Sequence, residues 1–349
     1  MDARRPVSPR AAILDGMQMP VVELHLHLEG TLEPELVFSL AERNGVDLPY
    51  ADVDDLRSRF AFADLQSFLE LYNANMAVLR TGADFHEMTD AYLSRAAAAG
   101  VRHAEVFLDL QAHTGRGLRA AEVLDGVTSA LAASREKHDL TSGLIVTVLR
   151  HLPGREALET VREVIDLGAP VLGIGMCSTE LTAHAADFAP AFQLARAHGL
   201  RRTAHAGEEG PAQNVADVLD ILRVERVDHG VRAMEDPDLV RRLVDERVPL
   251  TVCPVSNVRL KGVETLADHP LRRMLDAGLV VTINSDDPAY FGAYLDEVVD
   301  RTTEALDLGP HHLRALARNA VESAWVDDAR RNELRAEVDA WRSSSGSLM

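Results

Sequence analysis

The sequence contains little cysteine and no long apolar segment. Its only two cysteines, Cys177 and Cys253, cannot build a disulfide framework and belong to no CxxC pair, so we expect packed thiols in a reducing compartment. No run of about 18 apolar residues is present that could span a bilayer. Residues 1–16 also lack the continuous apolar stretch of a signal peptide. Together these absences predict a cytoplasmic protein that has no membrane partner.

Positive charge is also scarce, and lysine occurs only at Lys137 and Lys261. The 36 Lys and Arg residues are outnumbered by 55 Asp and Glu residues, which gives a formal net charge of -19. Such a balance repels nucleic-acid backbones and anionic membranes. We therefore expect a small or neutral substrate and no nucleic-acid partner. The sequence leaves open whether the chain forms a homo-oligomer.

The 349 residues, 46% of them hydrophobic, can bury the core of one barrel or of two smaller domains. Short β-rich apolar runs alternate with longer segments of helical spacing, a pattern typical of a parallel sheet with crossover helices. Strands are predicted at residues 21–28, 101–110, 142–150, 171–176, 201–208, 226–230, 249–257 and 279–288. This count predicts an α/β fold of the (β/α)8 TIM-barrel type.

Residues 31–100 are too many for one crossover connection. They predict extra helices between the first and second strands, which we expect to cover the mouth of the barrel. No linker marks a second domain, so we expect a single domain over residues 1–349. Within it, residues 1–20 form an N-terminal extension and residues 343–349 a frayed tail.

The stretch "VVELHLHLEG", residues 21–30, places two histidines one residue apart in an apolar strand. Residues two apart in a strand share a face, so Glu23, His25 and His27 point the same way and the histidine pair can bind one metal ion. For this motif taken alone, the alternative is that the two histidines are unrelated polar residues and bind no metal ion.

Further polar residues fall at the carboxyl ends of other predicted strands, which is the face where barrel active sites are built. They are His205, His229, Asp286 and Asp287. Four imidazoles and a carboxylate pair at one end of a barrel have no packing rationale, and they favour a metal site. Imidazole and carboxylate ligands that leave a position for water are typical of catalytic Zn²⁺. The predicted ligands are His25, His27, His205 and Asp286.

The fourth strand, "VLGIGM", ends without the lysine that a two-metal centre would need, so one zinc ion per chain is expected. Glu208 follows His205 by three residues and is the candidate general acid or base, whereas Glu209 is typical of a solvated loop carboxylate. His229 could be a fifth ligand. Its neighbour Asp228 favours instead a role in orienting or deprotonating the zinc-bound water.

The stretches "HLHLEGT", "AHAGEEGP", "DHGVR", "LTVCPVSNVRL" and "NSDDPAYFG" together resemble the adenosine/adenine deaminase family of the amidohydrolase superfamily. They occur in the same order as in that family and extend from about residue 20 to residue 325. The longer matches, especially "RHAEVFLDLQAHT", "TVCPVSNVRL" and "SDDPAYFG", resemble the adenine deaminase branch.

The resemblance implies zinc-dependent hydrolytic deamination of adenine to hypoxanthine and ammonia, by attack of zinc hydroxide at purine C6. It implies the same four zinc ligands, Glu208 as proton donor, His229 as the group that assists the attacking water, and Asp287 as a purine contact. Three further substrate contacts are predicted, at Glu29, Ser178 and Glu180. Glu29 stands where nucleoside deaminases carry a shorter Asp that holds the ribose, which favours the free base.

Two departures from the adenine deaminase pattern leave the choice of substrate open. The chain has "MCSTE" where the branch typically has LDSSE, so that Cys177 replaces an Asp, and "AYLDEVV" replaces a Gly-Tyr-Val-Asn run. Adenosine or an N6-substituted adenine is therefore an alternative substrate. A non-catalytic zinc-stabilised binding protein ranks lower, because Glu208, His229 and Asp287 would then have no role.

Overall fold

The computed structural model describes residue 19 and residues 21–341. Eight parallel strands pair in chain order, each with the next along the sequence. They are β1 (Val21–Glu23), β2 (Val101–Leu108), β3 (Thr141–Leu149), β4 (Val171–Cys177), β5 (Arg201–Ala206), β6 (Arg226–His229), β7 (Pro249–Val252) and β8 (Val280–Ile283). A parallel bridge between Leu26 and Asp286 joins the chain just after β1 to the chain just after β8. The predicted (β/α)8 barrel is confirmed.

Helices connect the strands and surround the barrel. They are α1 (Pro34–Asn44), α2 (Val53–Ser58), α3 (Leu65–Asn75), α4 (Gly82–Ala98), α5 (Leu110–Thr114), α6 (Ala120–His138), α7 (Gly154–Leu167), α8 (Ala189–Ala197), α9 (Ala212–Asp217), α10 (Pro237–Asp245), α11 (Pro254–Arg259), α12 (Leu271–Asp276), α13 (Pro288–Phe291), α14 (Leu295–Leu306), α15 (Pro310–Ser323) and α16 (Asp328–Ala340). Among the described residues, no helix is both long enough and apolar enough to cross a membrane.

Three of the predicted strands are about five residues too long at their carboxyl ends. Strand β1 stops at Glu23, β7 at Val252 and β8 at Ile283, although the apolar runs continue beyond each of them. Pro254 and Pro288 occupy the first turns of α11 and α13, a position that proline favours. The runs after β7 and β8 continue into α11 and α13, which are buried at the barrel mouth. Hydrophobic periodicity cannot distinguish a strand from a short buried helix.

The extra helices predicted between the first two strands are α1 to α4. Helix α3 begins at a capping box, in which Asp64 accepts from the Ser67 backbone and the Ser67 hydroxyl accepts from the Asp64 backbone. Its buried face stacks on α13, with Phe68 and Tyr72 both within 6 Å of the Tyr290 ring (5.6 and 5.8 Å between centroids). The helix thus lies over the mouth of the barrel.

The predicted single-domain organisation stays a prediction. The predicted N-terminal extension, apart from Met19, and the predicted frayed tail lie outside the described residues.

A buried ion pair crosses the barrel interior. Arg226, the first residue of β6, places Nη1 2.7 Å from Oε2 of Glu105 on β2, and both side chains are fully buried. The guanidinium also lies over the Trp325 ring, 4.0 Å from its centroid. Burial alone would raise the pKa of Glu105, but Arg226 and His103 hold that pKa below its ordinary value. The Glu105 carboxylate therefore depends on Arg226.

Replacing Arg226 should destabilise the fold strongly. We expect Arg226→Met to lower the free energy of unfolding by about 3–5 kcal/mol, because it removes the arginine counter-charge of the buried Glu105 carboxylate. The matched control is Arg335→Met, which removes an exposed ion pair with Glu322 and should change the free energy of unfolding far less, because solvent screens exposed charges. Urea denaturation of both variants measures the difference, and equal small losses would contradict the assignment.

Candidate active site

Five side chains converge at the carboxyl ends of the strands. They are His25 and His27 just after β1, His205 on β5, His229 at the end of β6 and Asp286 just after β8. Oδ1 of Asp286 lies 3.2 Å from His25 Nε2 and 3.5 Å from His27 Nε2. The Nε2 atoms of His27 and His205 are 3.2 Å apart. All five side chains are buried. Ligand atoms of His25, His205, His229 and Asp286 lie within 4.8 Å of one another and could share one metal ion, whereas His27 forms a second such group with Asp109 and Cys177.

The hydrogen bonds of these imidazoles leave free lone pairs that point at one another. His25 Nδ1 lies 2.9 Å from the Thr251 hydroxyl and 3.2 Å from the Thr251 carbonyl, so it carries the proton. Its Nε2 is buried and has no hydrogen-bond partner among the described residues. His205 Nδ1 faces Asp228 at 3.5 Å. Carboxylate or hydroxyl partners behind imidazoles are typical of metal-ligating histidines, and this cluster can hold a divalent cation.

His229 differs, because a chain of hydrogen bonds assigns its proton. The Leu271 backbone N–H donates to His269 Nδ1 (3.1 Å), so His269 Nε2 carries a proton and donates to Asn257 Oδ1 (3.2 Å). The Asn257 amide group then donates to His229 Nδ1 (3.4 Å). His229 therefore carries its proton on Nε2, which faces Glu208 Oε2 at 3.4 Å. A protonated Nε2 offers a hydrogen bond to a ligand, and it offers no lone pair to a metal ion.

Burial sets opposite charge states on neighbouring groups. It raises the pKa of Glu208 to about 8, helped by the nearby Asp286, and it raises the pKa of Asp287 well above its ordinary value. Burial also lowers the pKa of His27 to about 4. Asp286 is the exception: burial alone would raise its pKa, but His25, His229 and His27 together hold the pKa of Asp286 well below its ordinary value. The site therefore combines neutral imidazoles at His27 and at His229, whose pKa burial also lowers, with one ionised carboxylate and two protonated carboxyls.

A cavity opens over the cluster. Its floor includes His27, His205, Glu208, His229, Asp286 and Asp287, and its outer wall is formed by Leu65, Phe68, Leu69 and Tyr72 of α3. Asp287 lies against Gly30, where any Cβ would collide with the Asp287 carboxyl group. Ser178, which has a left-handed backbone (φ 77), also lines the cavity. The two predicted contacts Asp287 and Ser178 are thus placed where a ligand would bind.

Glu29 and Glu180, predicted as substrate contacts, do not line this cavity. Glu180 accepts hydrogen bonds from the backbone N–H groups of Gly207, Glu208 and Glu209 (3.0, 2.8 and 3.0 Å), so it anchors the turn that carries Glu208. Glu29 is likewise turned away from the cavity. The sequence could not indicate these directions, because both residues follow the ends of their strands, where the alternation of faces no longer applies.

Sequence reasoning missed Asp109, which follows β2 and lines the cavity. The rule applied to the other strands, that polar residues after a barrel strand belong to the site, would have found it in "VFLDL". It also missed Asn257 and His269, whose link to His229 depends on tertiary contacts. Glu23 is buried but separate from the cluster, because Tyr92 (2.7 Å) and Ser285 donate to its carboxylate.

Comparison with known proteins decides the family. The family model described as adenosine deaminase matches residues 20–341. The chain belongs to the adenosine deaminase family. The resemblance predicted from the sequence motifs is confirmed.

Relatives in the adenosine deaminase family are similar over nearly their whole length. The adenine deaminase of Streptomyces coelicolor is 54% identical over 334 residues, which cover 93% of this chain and 96% of that protein. A crystal structure of adenine deaminase from Arthrobacter aurescens superposes with a TM-score of 0.92 at 53% identity, covering 93% of this chain and 99% of that one. An amidohydrolase structure from Burkholderia ambifaria with bound Zn has a TM-score of 0.88 at 27% identity, with 97% and 93% covered.

Asn257→Leu should disturb His229 without removing the metal ion. We expect turnover to fall on the order of 10–100-fold, because His229 loses the partner that fixes its protonated nitrogen. Metal content should stay unchanged in elemental analysis. The adjacent Ser256→Ala is the control, since its buried hydroxyl makes no hydrogen bond in the described part of the chain. Loss of metal in Asn257→Leu would show that His229 is a ligand.

Proposed function

We propose that this chain catalyses the zinc-dependent hydrolytic deamination of adenine to hypoxanthine and ammonia. The observation that carries the proposal is the pairing of a cluster that can hold a metal ion with the protonated carboxyl group of Glu208 in one cavity. Metal and proton donor are the two components that hydrolysis of an aromatic C–N bond requires. The high identity to curated adenine deaminases supports the choice of substrate.

The proposed zinc ligands are His25, His27, His205 and Asp286, with one ion per chain. The unpartnered Nε2 of His25 and the contacts of 3.2 to 3.5 Å that join its neighbours support this set. His229 is left out, since its Nε2 carries a proton. When bound, zinc would act as a Lewis acid that lowers the pKa of water toward about 7. Bound Zn in the related amidohydrolase supports the choice of metal.

The remaining steps belong to the side chains around the cavity. Glu208, protonated at neutral pH, donates its proton to purine N1, and C6 becomes electrophilic. The Nε2–H of His229 orients the water whose oxygen bonds to C6. Glu208 then carries a proton from that water to the exocyclic nitrogen. The C6–N bond breaks and ammonia leaves. The second proton of the water then returns to Glu208, and the oxygen remains on the ring as the carbonyl oxygen of hypoxanthine. The neutral carboxyl group of Asp287 donates to N7 throughout.

We also propose that the enzyme works in the cytoplasm. Cys177 and Cys253 are both buried free thiols, and they support a reducing compartment.

Ammonia release from a panel of aminopurines tests the proposed function. We expect kcat/KM for adenine to exceed that for adenosine by about 10⁴ or more, because a cavity shaped for a free base rejects an attached ribose. N6-methyladenine belongs in the panel, since Cys177 replaces an Asp in the cavity wall. Absence of ammonia from every compound would refute the function, and a preference for adenosine would refute the substrate.

Metal content tests the ligand set independently of activity. We expect one zinc ion per chain in elemental analysis and a loss of most of it in His205→Ala, because one ligand is removed from a buried site. The control is His138→Ala on α6. The His138 imidazole pairs with Asp90, and neither residue belongs to the cluster. Full metal content in His205→Ala would contradict the assignment.

Glu208→Gln should keep fold and metal and lose turnover by about 10²–10⁴-fold, since the amide cannot supply the proton. Glu209→Gln is the matched control. Its carboxylate accepts from the Thr179 hydroxyl (2.6 Å) and does not line the cavity, so turnover should change little. Steady-state kinetics on adenine compare the two, and greater sensitivity of Glu209 would overturn the placement of the proton donor.

A further inference from the structure

Asp109 is a buried acidic residue of the cavity wall to which the steps above give no role. It follows β2 directly and is 4% exposed. Its backbone N–H donates to Oε1 of Glu29 (2.9 Å), which also lies 2.7 Å from His113 Nε2. Glu29 therefore fixes the backbone of Asp109. Any effect of Glu29 on a substrate is indirect and acts through Asp109.

Three neutral groups donate to the Asp109 carboxylate. Oδ1 accepts from the Thr147 hydroxyl (2.5 Å) and the Cys177 thiol (3.2 Å), and Oδ2 accepts from the Tyr72 hydroxyl (3.1 Å). A carboxylate offers about four acceptor positions, so one remains, on Oδ2. His27 Nδ1, at 3.9 Å from Oδ1, is too far away to form a hydrogen bond.

The Asp109 carboxylate also lacks a strong counter-charge. Among the described residues, no arginine or lysine forms an ion pair with it, although buried carboxylates usually require one. Three donors occupy most of its acceptor positions, yet one position on Oδ2 stays open. A ligand that brings one more N–H into the cavity would satisfy it.

Asp109 and Asp287 line the same cavity. Asp109 is surrounded by hydrogen-bond donors, so it acts as an acceptor. The five-membered ring of a free purine presents a matching donor, the N–H at N9. A nucleoside has no proton at N9, because the sugar replaces it.

We propose that Asp109 accepts the N9–H of a free purine base and is the residue by which this site distinguishes a base from its nucleoside. The inference rests on the proposed function and deepens it. A nucleoside would leave the open acceptor position on Asp109 Oδ2 buried without water or a donor. Sites built to hydrogen-bond a substrate N–H can reject the analogue that lacks it by about 10⁴-fold. The smallest such analogue is 9-methyladenine.

The test compares adenine with 9-methyladenine, which loses the N–H and adds only one methyl group. For the unaltered protein we expect kcat/KM for adenine to exceed that for 9-methyladenine by about 10³-fold or more. In Asp109→Asn and Asp109→Ser this ratio should shrink by at least about 30-fold, chiefly through loss on adenine. Asn73→Ala, at the exposed rim of the cavity, is the control and should keep the ratio.

The possible outcomes are distinct. A role for Asp109 through the imidazole of His27 would lower turnover of both compounds equally, with loss of metal, and the unchanged ratio would overturn the proposal. Turnover of 9-methyladenine within tenfold of adenine by the unaltered protein would overturn it without any variant. If the unaltered protein deaminates neither compound nor any other aminopurine, the proposed function itself fails, and this inference fails with it.

Discussion

Two backbone hydrogen bonds between the first and last strand ends hold the site together. The N–H of His27 donates to the Asp286 carbonyl (3.0 Å), and the N–H of Asp286 donates to the His25 carbonyl (3.2 Å). Nearby, the Leu24 N–H donates to the Asn284 side chain, 260 residues away in sequence. These contacts close the barrel and bring the two histidines of one end of the chain to the carboxylate of the other. The cluster exists only when the barrel is complete.

Once the barrel is closed, burial sorts the acidic residues into two kinds. Asp286 and Asp109 are stabilised as carboxylates by imidazoles or by several donors, whereas burial keeps Glu208 and Asp287 protonated. The difference matters because a proton donor and a metal ligand cannot exchange roles. Four acidic groups around one cavity thus acquire separate tasks from their surroundings.

Acidic residues outside the cavity position the ones inside it. Glu180 accepts hydrogen bonds from three backbone N–H groups and so holds the turn of Glu208, and Glu29 holds the backbone of Asp109.

Three residues at the site have left-handed backbones, with φ between 64 and 77, a conformation that non-glycine residues adopt at a cost. They are Ser178, His229 and Asp286. Surrounding hydrogen bonds maintain that strain and aim these side chains into the cavity.

The sequence by itself determined the eight strands, the barrel, the convergence of four histidines with Asp286, and Glu208 as the acidic residue beside them. These follow from local rules, since strand periodicity and the common carboxyl end of parallel strands require no knowledge of distant contacts. Tertiary structure alone decided which carboxylates face the cavity, turning Glu29 and Glu180 away and Asp109 inward. It also decided the proton position on His229. That position depends on Asn257, which is 28 residues from His229 in sequence, and on His269, which is 12 residues from Asn257. Beyond the end of a strand the backbone turns, and partners from distant parts of the chain, rather than alternation, determine where a side chain points.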